Sequence, residues 1–176
     1  MRACFFSLMD SNGFEKMGGK ELIQSAKFFH PEVTFMRFNE KHMAQAMKSM
    51  PSHNLIAHFG KFCATQFDLV IHIGLDSLIL DELDELFIDD YDVGGVLNNN
   101  NFDLKVSVLN ITNNYINAHF IARRKPEFWW HWDKVNEKHS LQNQYVEQDT
   151  LNIIFHYGNY RTKIFDETKD YWGIKA

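Results

Sequence analysis

Residues 70–80 read VIHIGLDSLIL, an apolar run that breaks at Gly74, shows one carboxylate at Asp76 and turns apolar again. A carboxylate at the tip of a buried strand can do two things. It can cap the following segment through a backbone N–H. It can also project from a rigid element toward a crevice and meet a hard cation or a ligand hydroxyl. Oxygen ligands suit Mg²⁺ or Mn²⁺, ions that usually borrow further ligands from a substrate phosphate. A second acidic group, Glu147-Gln148-Asp149, opens an apolar-periodic stretch. Acids there are favoured by the helix dipole and by capping whatever else they do. A third candidate, Trp129-Trp130-His131-Trp132, has the look of a sugar-stacking platform. Phe128, Trp132 and Val135 fall at helical spacing, however, and belong to a core face, which leaves Trp129 or Trp130 to reach a groove. The nine histidines show no metal-ligand spacing on one helix.

The elements that must carry these residues follow from hydrophobic period and breakers. ACFFSL, VTFMRF, FDLVIHI, YDVGGVL, YINAHFIARR and YRTKIF read as strands. GGKELIQSAKFF places Leu22, Ala26 and Phe29 on one helical face and stops at Pro31. HMAQAM, NLIAHFGKFCAT (Leu55, Phe59 and Phe62 inward), LDELDELF, KPEFWWHWDKV and EQDTLNIIFHYG (Leu151, Ile154 and Phe155 inward, Gly158 as stop) read as helices. MDSNG is turn-like and NNNN at 98–101 is loop. Strands and helices alternate through the first half, which predicts an α/β fold with a parallel sheet and a mixed later half. In such sheets ligands gather past the carboxyl ends of the strands, where Gly74, Leu75 and Asp76 fall. Gly74 is expected to supply a backbone angle that other residues resist.

Composition bounds the partners. The 176 residues, 45% hydrophobic and 23% charged, suit one soluble domain. A formal charge of -5 gives no electrostatic reason to expect nucleic acid. Two distant cysteines, Cys4 and Cys63, make no disulfide framework and suggest a reducing compartment. With no signal peptide and no apolar run near the ~20 residues of a membrane span, a cytoplasmic protein is expected, or the soluble part of a larger polypeptide.

FDLVIHIGLDSLILDELDELF resembles the core of the GT-A type glycosyltransferases, and most of all the glycogenin and bacterial galactosyltransferase group, family 8 and its relatives. There a hydrophobic strand runs into an Asp-x-Asp motif, a short apolar stretch and then "eLf". The opening strand with its SAKFFHP segment, YDVGGV, YINAHFIARRKPEFWWHW and YVEQDTLNIIF are similar to further family segments in the same order, over roughly residues 3–165. The resemblance implies a single GT-A (Rossmann-like) domain over 1–176. Its mostly parallel mixed sheet would be flanked by helices, with a nucleotide-binding half near 1–97 and an acceptor half near 98–176. It also implies transfer of a sugar from a nucleotide diphosphate donor, a UDP-sugar first, to an acceptor hydroxyl on a glycan or glycoprotein.

Residue by residue, the resemblance assigns Asp76 to the second aspartate of the metal motif, with Mn²⁺ or Mg²⁺ as the cation. Gly74 stands where the first aspartate is usual. That leaves weak metal binding, binding through Asp76 with diphosphate and water, or none. Leu8, Met9 and Asp10 match the segment lining the base pocket, and Gly74 and Leu75 sit beside the donor. Lys61 matches a basic position near it, against its ordinary reading as a solvated lysine. Asn117 and Ala118 match the sugar-contacting pair, and His119 replaces a small glycine. Asp149, or Glu147, would be the catalytic carboxylate, a general base in an inverting enzyme or a stabiliser of the oxocarbenium-like centre in a retaining one. The family's late histidine and Lys-Pro-Trp segment have no recognisable counterpart in DETKDYWGIKA. Two function classes follow: an active glycosyltransferase, and a degenerate module of the same fold that binds a nucleotide sugar or glycan without turnover.

Overall fold

The computed structural model describes residues 1–98, 114–138 and 146–165. The strands are β1 (Ala3–Leu8), β2 (Thr34–Phe38), β3 (Leu69–Ile73), β4 (Val93–Leu97), β5 (Ile116–Arg123) and β6 (Thr162–Phe165). The helices are α1 (Ser11–Lys16), α2 (Gly19–Phe29), α3 (Glu40–Ala46), α4 (Leu55–Ala64, after a 3-10 turn Ser52–Asn54), α5 (Glu85–Ile88), α6 (Glu127–Lys138) and α7 (Val146–Tyr157).

The described strands form one six-stranded sheet in the order β2-β1-β3-β5-β4-β6. β1 is parallel to β2 and β3, β5 is antiparallel to β3 and β4, and β6 is parallel to β4. The parallel first half and mixed second half match the expected α/β class. β5, from the later part of the chain, is inserted between β3 and β4 of the earlier part.

Alternation along the strands divides the core into two layers. Cys4, Phe6, Val70, Ile116 and Ile121 face α4, α6 and α7, while Phe5, Ile71, Ile73, Val96 and Ala122 face the opposite side with Leu22 and Ala26 of α2. Phe128, Trp129 and Trp132 of α6 are fully buried in the first layer, so Trp130, 40% exposed, is the only tryptophan of that run at the surface. α4 approaches α6 closely enough that a Cβ on Gly60 would lie 2.3 Å from the Trp129 ring. Cys4 and Cys63 are both buried and free.

Four local expectations are corrected. MDSNG is not only a turn: the Asp10 carboxylate accepts from Gly13 N at 2.6 Å and starts α1. LDELDELF forms only the short α5, Glu85–Ile88. Phe62 is 49% exposed rather than inward, because α4 buries Leu55, Phe59 and Cys63 instead. Gly74 does not use a left-handed angle, since Gly18 (φ 94°) is the only described glycine with positive φ.

Candidate active site

The ladder between β3 and β5 ends early. Val70–Ile73 pair with Phe120–Arg123, and β5 extends beyond the end of β3 over Ile116 to His119, where no described strand pairs with it on that side. Buried backbone groups without a neighbouring strand need other partners. Two side chains of α7 supply them. Asn152 Oδ1 accepts from Ile116 N at 2.6 Å while its Nδ2 donates to Ile116 O at 2.9 Å. Gln148 Oε1 accepts from Ala118 N at 3.1 Å. The Ala118 carbonyl is met from the strand side, by His72 Nδ1 at 2.9 Å. Because a carbonyl only accepts, Nδ1 carries the proton in this contact.

A cleft of about 250 Å³ opens where this ladder stops, at the carboxyl ends of β1 and β3. Its walls include Ser7 and Leu8 of β1, Met17 after α1, Ile56 of α4, and His72, Gly74, Leu75 and Asp76. Asp76 lies in a turn closed by Ser77 N donating to Gly74 O at 3.1 Å. The segment beyond that turn is tied to α2 and its end: Ile79 N donates to Ser25 Oγ (3.1 Å) and Leu83 N to His30 Nε2 (3.0 Å). Burial holds the His30 ring below the usual histidine range, which keeps Nε2 an acceptor. The Ser7 hydroxyl is buried with no hydrogen-bond partner among the described residues. Such a group at a cleft wall is a natural contact for a bound molecule.

Of the residues expected at the site, the cleft brings together Leu8, Gly74, Leu75 and Asp76. Asn117 and Ala118 lie on the overhanging half of β5, and Ala118 is one hydrogen bond from His72. Met9 is fully buried in the second core layer. Asp10 spends its carboxylate on the α1 cap, and Arg37 braces that turn by donating to Met9 O and Asp10 O, each at 3.2 Å. Lys61 forms an ion pair with Asp133 of α6. None of these three lines the cleft. The side chain of His119 and the segment DETKDYWGIKA lie outside the described residues, as do 99–101 of the asparagine run.

The first turn of α7 stands behind the cleft wall. Ile56 N, on a lining residue, donates to the Glu147 carboxyl, whose Oε1 is buried with no hydrogen-bond partner among the described residues. Burial pushes that carboxyl up to about 8, so it is largely neutral at pH 7. Asp149 is 4% exposed and accepts from Tyr115 OH at 2.6 Å. Gln148 Nε2 is buried and unpartnered among the described residues. Ser7, His72 and Gln148 were not singled out from the sequence. Ser7 and His72 carried a faint signal, as single polar residues in the apolar runs ACFFSL and LVIHI. Gln148 had none that distinguished it from a helix-opening polar residue.

Searches with the sequence found no matching family model and no matching curated protein. The structure does have relatives. It superposes on an active-site mutant of LgtC with a TM-score of 0.66 at 16% identity, covering 93% of this chain and 73% of that one. The LgtC galactosyltransferase in complex with donor and acceptor sugar analogues gives 0.60 at 14%, with the same coverages. The apo bifunctional glycosyltransferase WbbM gives 0.64 at 14%, covering 94% of this chain and 39% of that one.

The chain has the GT-A fold. Within this fold the cleft lies at the carboxyl ends of β1 and β3, and Leu8, Gly74, Leu75 and Asp76 are among its lining residues. Among the described residues the GT-A domain gathers no group of three or more His, Cys, Asp or Glu suited to a metal ion. No described helix is long and apolar enough to cross a membrane.

Proposed function

We propose that the protein is a glycosyltransferase that moves a sugar from a nucleotide diphosphate donor, a UDP-sugar first, to a hydroxyl of a glycan or glycoprotein acceptor. The observation that supports this most directly is the cleft itself. On a GT-A fold, Leu8, Gly74, Leu75 and Asp76 share one strand-end cleft, and the acidic turn of α7 is packed behind it. Leu8 and the buried Ser7 hydroxyl would meet the base and ribose. Asp76 would face the diphosphate.

A carboxylate and a diphosphate repel, and no lysine or arginine is among the described residues lining the cleft. The donor set therefore suits a divalent cation between them, Mn²⁺ or Mg²⁺, held by Asp76 with phosphate and water oxygens. Bound there, the cation would offset negative charge on the leaving diphosphate. The protein's own contribution is to hold that cleft rigid through the Gly74–Ser77 turn and the Gln148 and Asn152 ties to β5. Asp149, oriented by Tyr115, and Glu147 are the proposed catalytic carboxylates. Of the two, Glu147 is a proton donor rather than a base at neutral pH, because it is largely protonated there.

Gly74, in place of a second carboxylate, supports the alternative of a binding module without turnover. Calorimetry with UDP- and GDP-sugars, with and without Mn²⁺, coupled to a donor-hydrolysis and transfer assay, separates the two. Binding with turnover that drops by orders of magnitude in Asp76→Ala and Asp149→Ala supports the enzyme. Tight binding with neither hydrolysis nor transfer supports the module, and no binding of any nucleotide sugar refutes both.

A further inference from the structure

We infer that Ser7 is the residue that selects the donor's base, in the role that the resemblance gives to Asp10. The inference rests on the nucleotide-sugar reading above and deepens it with a residue that the resemblance does not supply. Three observations carry it. Ser7 lines the cleft and is fully buried, and its hydroxyl has no hydrogen-bond partner among the described residues. It stands one residue past the last rung of the β1–β3 ladder, Phe6 opposite His72, and so belongs to the strand end at which the cleft opens. Asp10, the polar group expected to meet the base, is engaged elsewhere: its carboxylate accepts from Gly13 N at 2.6 Å, and it is not among the described lining residues.

The neighbouring wall suits a flat heterocycle. Leu8, Met17, Ile56 and Leu75 all line it with apolar side chains. Leu75 is backed by α1, since a Cβ on Gly13 would lie 3.3 Å from its Cδ2. A base offers apolar faces to such a wall and keeps its hydrogen-bonding atoms at the edge, where one well-placed polar group orients it. A ribose or a phosphate carries polar atoms on every side and would leave them unpaired against these residues. A serine hydroxyl both donates and accepts, so it can serve a ring carbonyl or the ring N–H of uracil. Buried and unpaired in the empty protein, the same hydroxyl lowers stability, and the bound base relieves that.

The test uses the whole chain and two measurements that should move in opposite senses. Calorimetry with UDP, 2′-deoxy-UDP and 3′-deoxy-UDP, in the presence of Mn²⁺, reads binding. Thermal melts without nucleotide read stability. Ser7→Ala should weaken UDP about five- to tenfold, and weaken both deoxy ligands by the same factor, because the lost bond is to the base. In the melts it should raise Tm by at least about 2 °C, because no buried hydroxyl is left unpaired. A serine that merely holds the fold together would lower Tm instead. Ser7→Cys, with its weak donor, stands in if the alanine chain does not fold and is read by the same two measurements.

UDP affinity equal to that of the unmutated chain overturns the Ser7 assignment and leaves the donor cleft standing. A Tm no higher than the parent's also overturns it, because the hydroxyl then has a structural task. A loss seen with UDP but absent with either deoxy ligand moves the contact to the ribose and overturns the assignment to the base. Failure of UDP and GDP to bind the unmutated chain under every condition overturns the donor reading itself, and the assignment with it.

Discussion

Replacing Asn152 with leucine tests whether a helix side chain stands in for a missing strand. Leucine keeps the branching at Cγ and fills the site, so the change is mainly one of polarity. Of the amide's three partners, Gln148 O lies in the same helix, whereas Ile116 N and Ile116 O are left in a buried setting where the described β3 ladder has ended. Each stranded backbone group costs about 1–3 kcal/mol. Burying leucine in place of an amide returns roughly 1 kcal/mol. The net loss expected is about 1–5 kcal/mol, a large share of the ~5–15 kcal/mol that holds a domain together. For a chain of this size each kcal/mol moves Tm by about 2–4 °C, so the melt should fall by roughly 2–20 °C. Thermal and urea unfolding can be followed by far-UV circular dichroism and by tryptophan fluorescence. Trp132 is a direct reporter because its indole N–H donates to Thr150 of α7 at 3.1 Å. Hydrogen exchange should show the Ile116 amide losing protection ahead of the β1 and β3 amides. A melt within about 2 °C of the unmutated chain, with Ile116 still protected, would refute the claim that α7 substitutes for a strand there.

Three further outcomes follow from packing and charge. Glu147 has its carboxyl raised from 4.5 to about 8, so the folded state prefers the protonated acid. That contribution is full below about pH 4.5 and is lost as pH rises through about 8. Glu147→Gln should flatten this slope and gain about 2–5 kcal/mol on the parent between pH 4.5 and 8.5 in urea melts, and parallel curves would sink the idea. Gly60→Ala places a Cβ 2.3 Å from the buried Trp129 ring and should cost about 1–3 kcal/mol despite better helix propensity, whereas a more stable variant would show that α6 yields. Arg123 is fully buried, with all three guanidinium nitrogens unpartnered among the described residues and burial lowering it to about 9. Arg123→Met should be neutral or stabilising by up to about 3 kcal/mol, and a loss beyond about 2 kcal/mol would mean that the charge is needed by Asp92 or Glu127.

What could be read from the sequence was set by range. β3 and α7 were legible because their burial is written locally: LVIHI is buried at every position, and Leu151, Ile154 and Phe155 recur at the helical period. α1 was hidden because Ser-Asn-Gly favours turns, and its six residues are held by a cap and by Arg37 from β2 rather than by propensity. Leu8, Gly74, Leu75 and Asp76 were legible as a group because strand ends converge on one edge of a parallel sheet. Lys61 was not, since its partner Asp133 is 72 residues away and nothing in either helix announces the pair. The same holds for Gln148 and Asn152: a polar residue whose partner is the overhanging edge of a strand 30 or 36 residues earlier looks, in the sequence, like any other helix polar residue.

The placement of β6 and α7 at the end of the described chain bears on how the molecule is made. β4 receives its outer neighbour only when Thr162–Phe165 arrive, and β5 is closed on its β3 side only when Gln148 and Asn152 arrive. Residues 146–165 supply both. On a ribosome adding about 5–20 residues per second, the span is translated in about 1–4 s. Throughout that interval the nascent sheet offers two unpaired backbone edges to any other chain nearby. The segment that finishes the cleft thus also covers those two edges, and slow codons within it would lengthen their exposure while leaving the protein sequence unchanged.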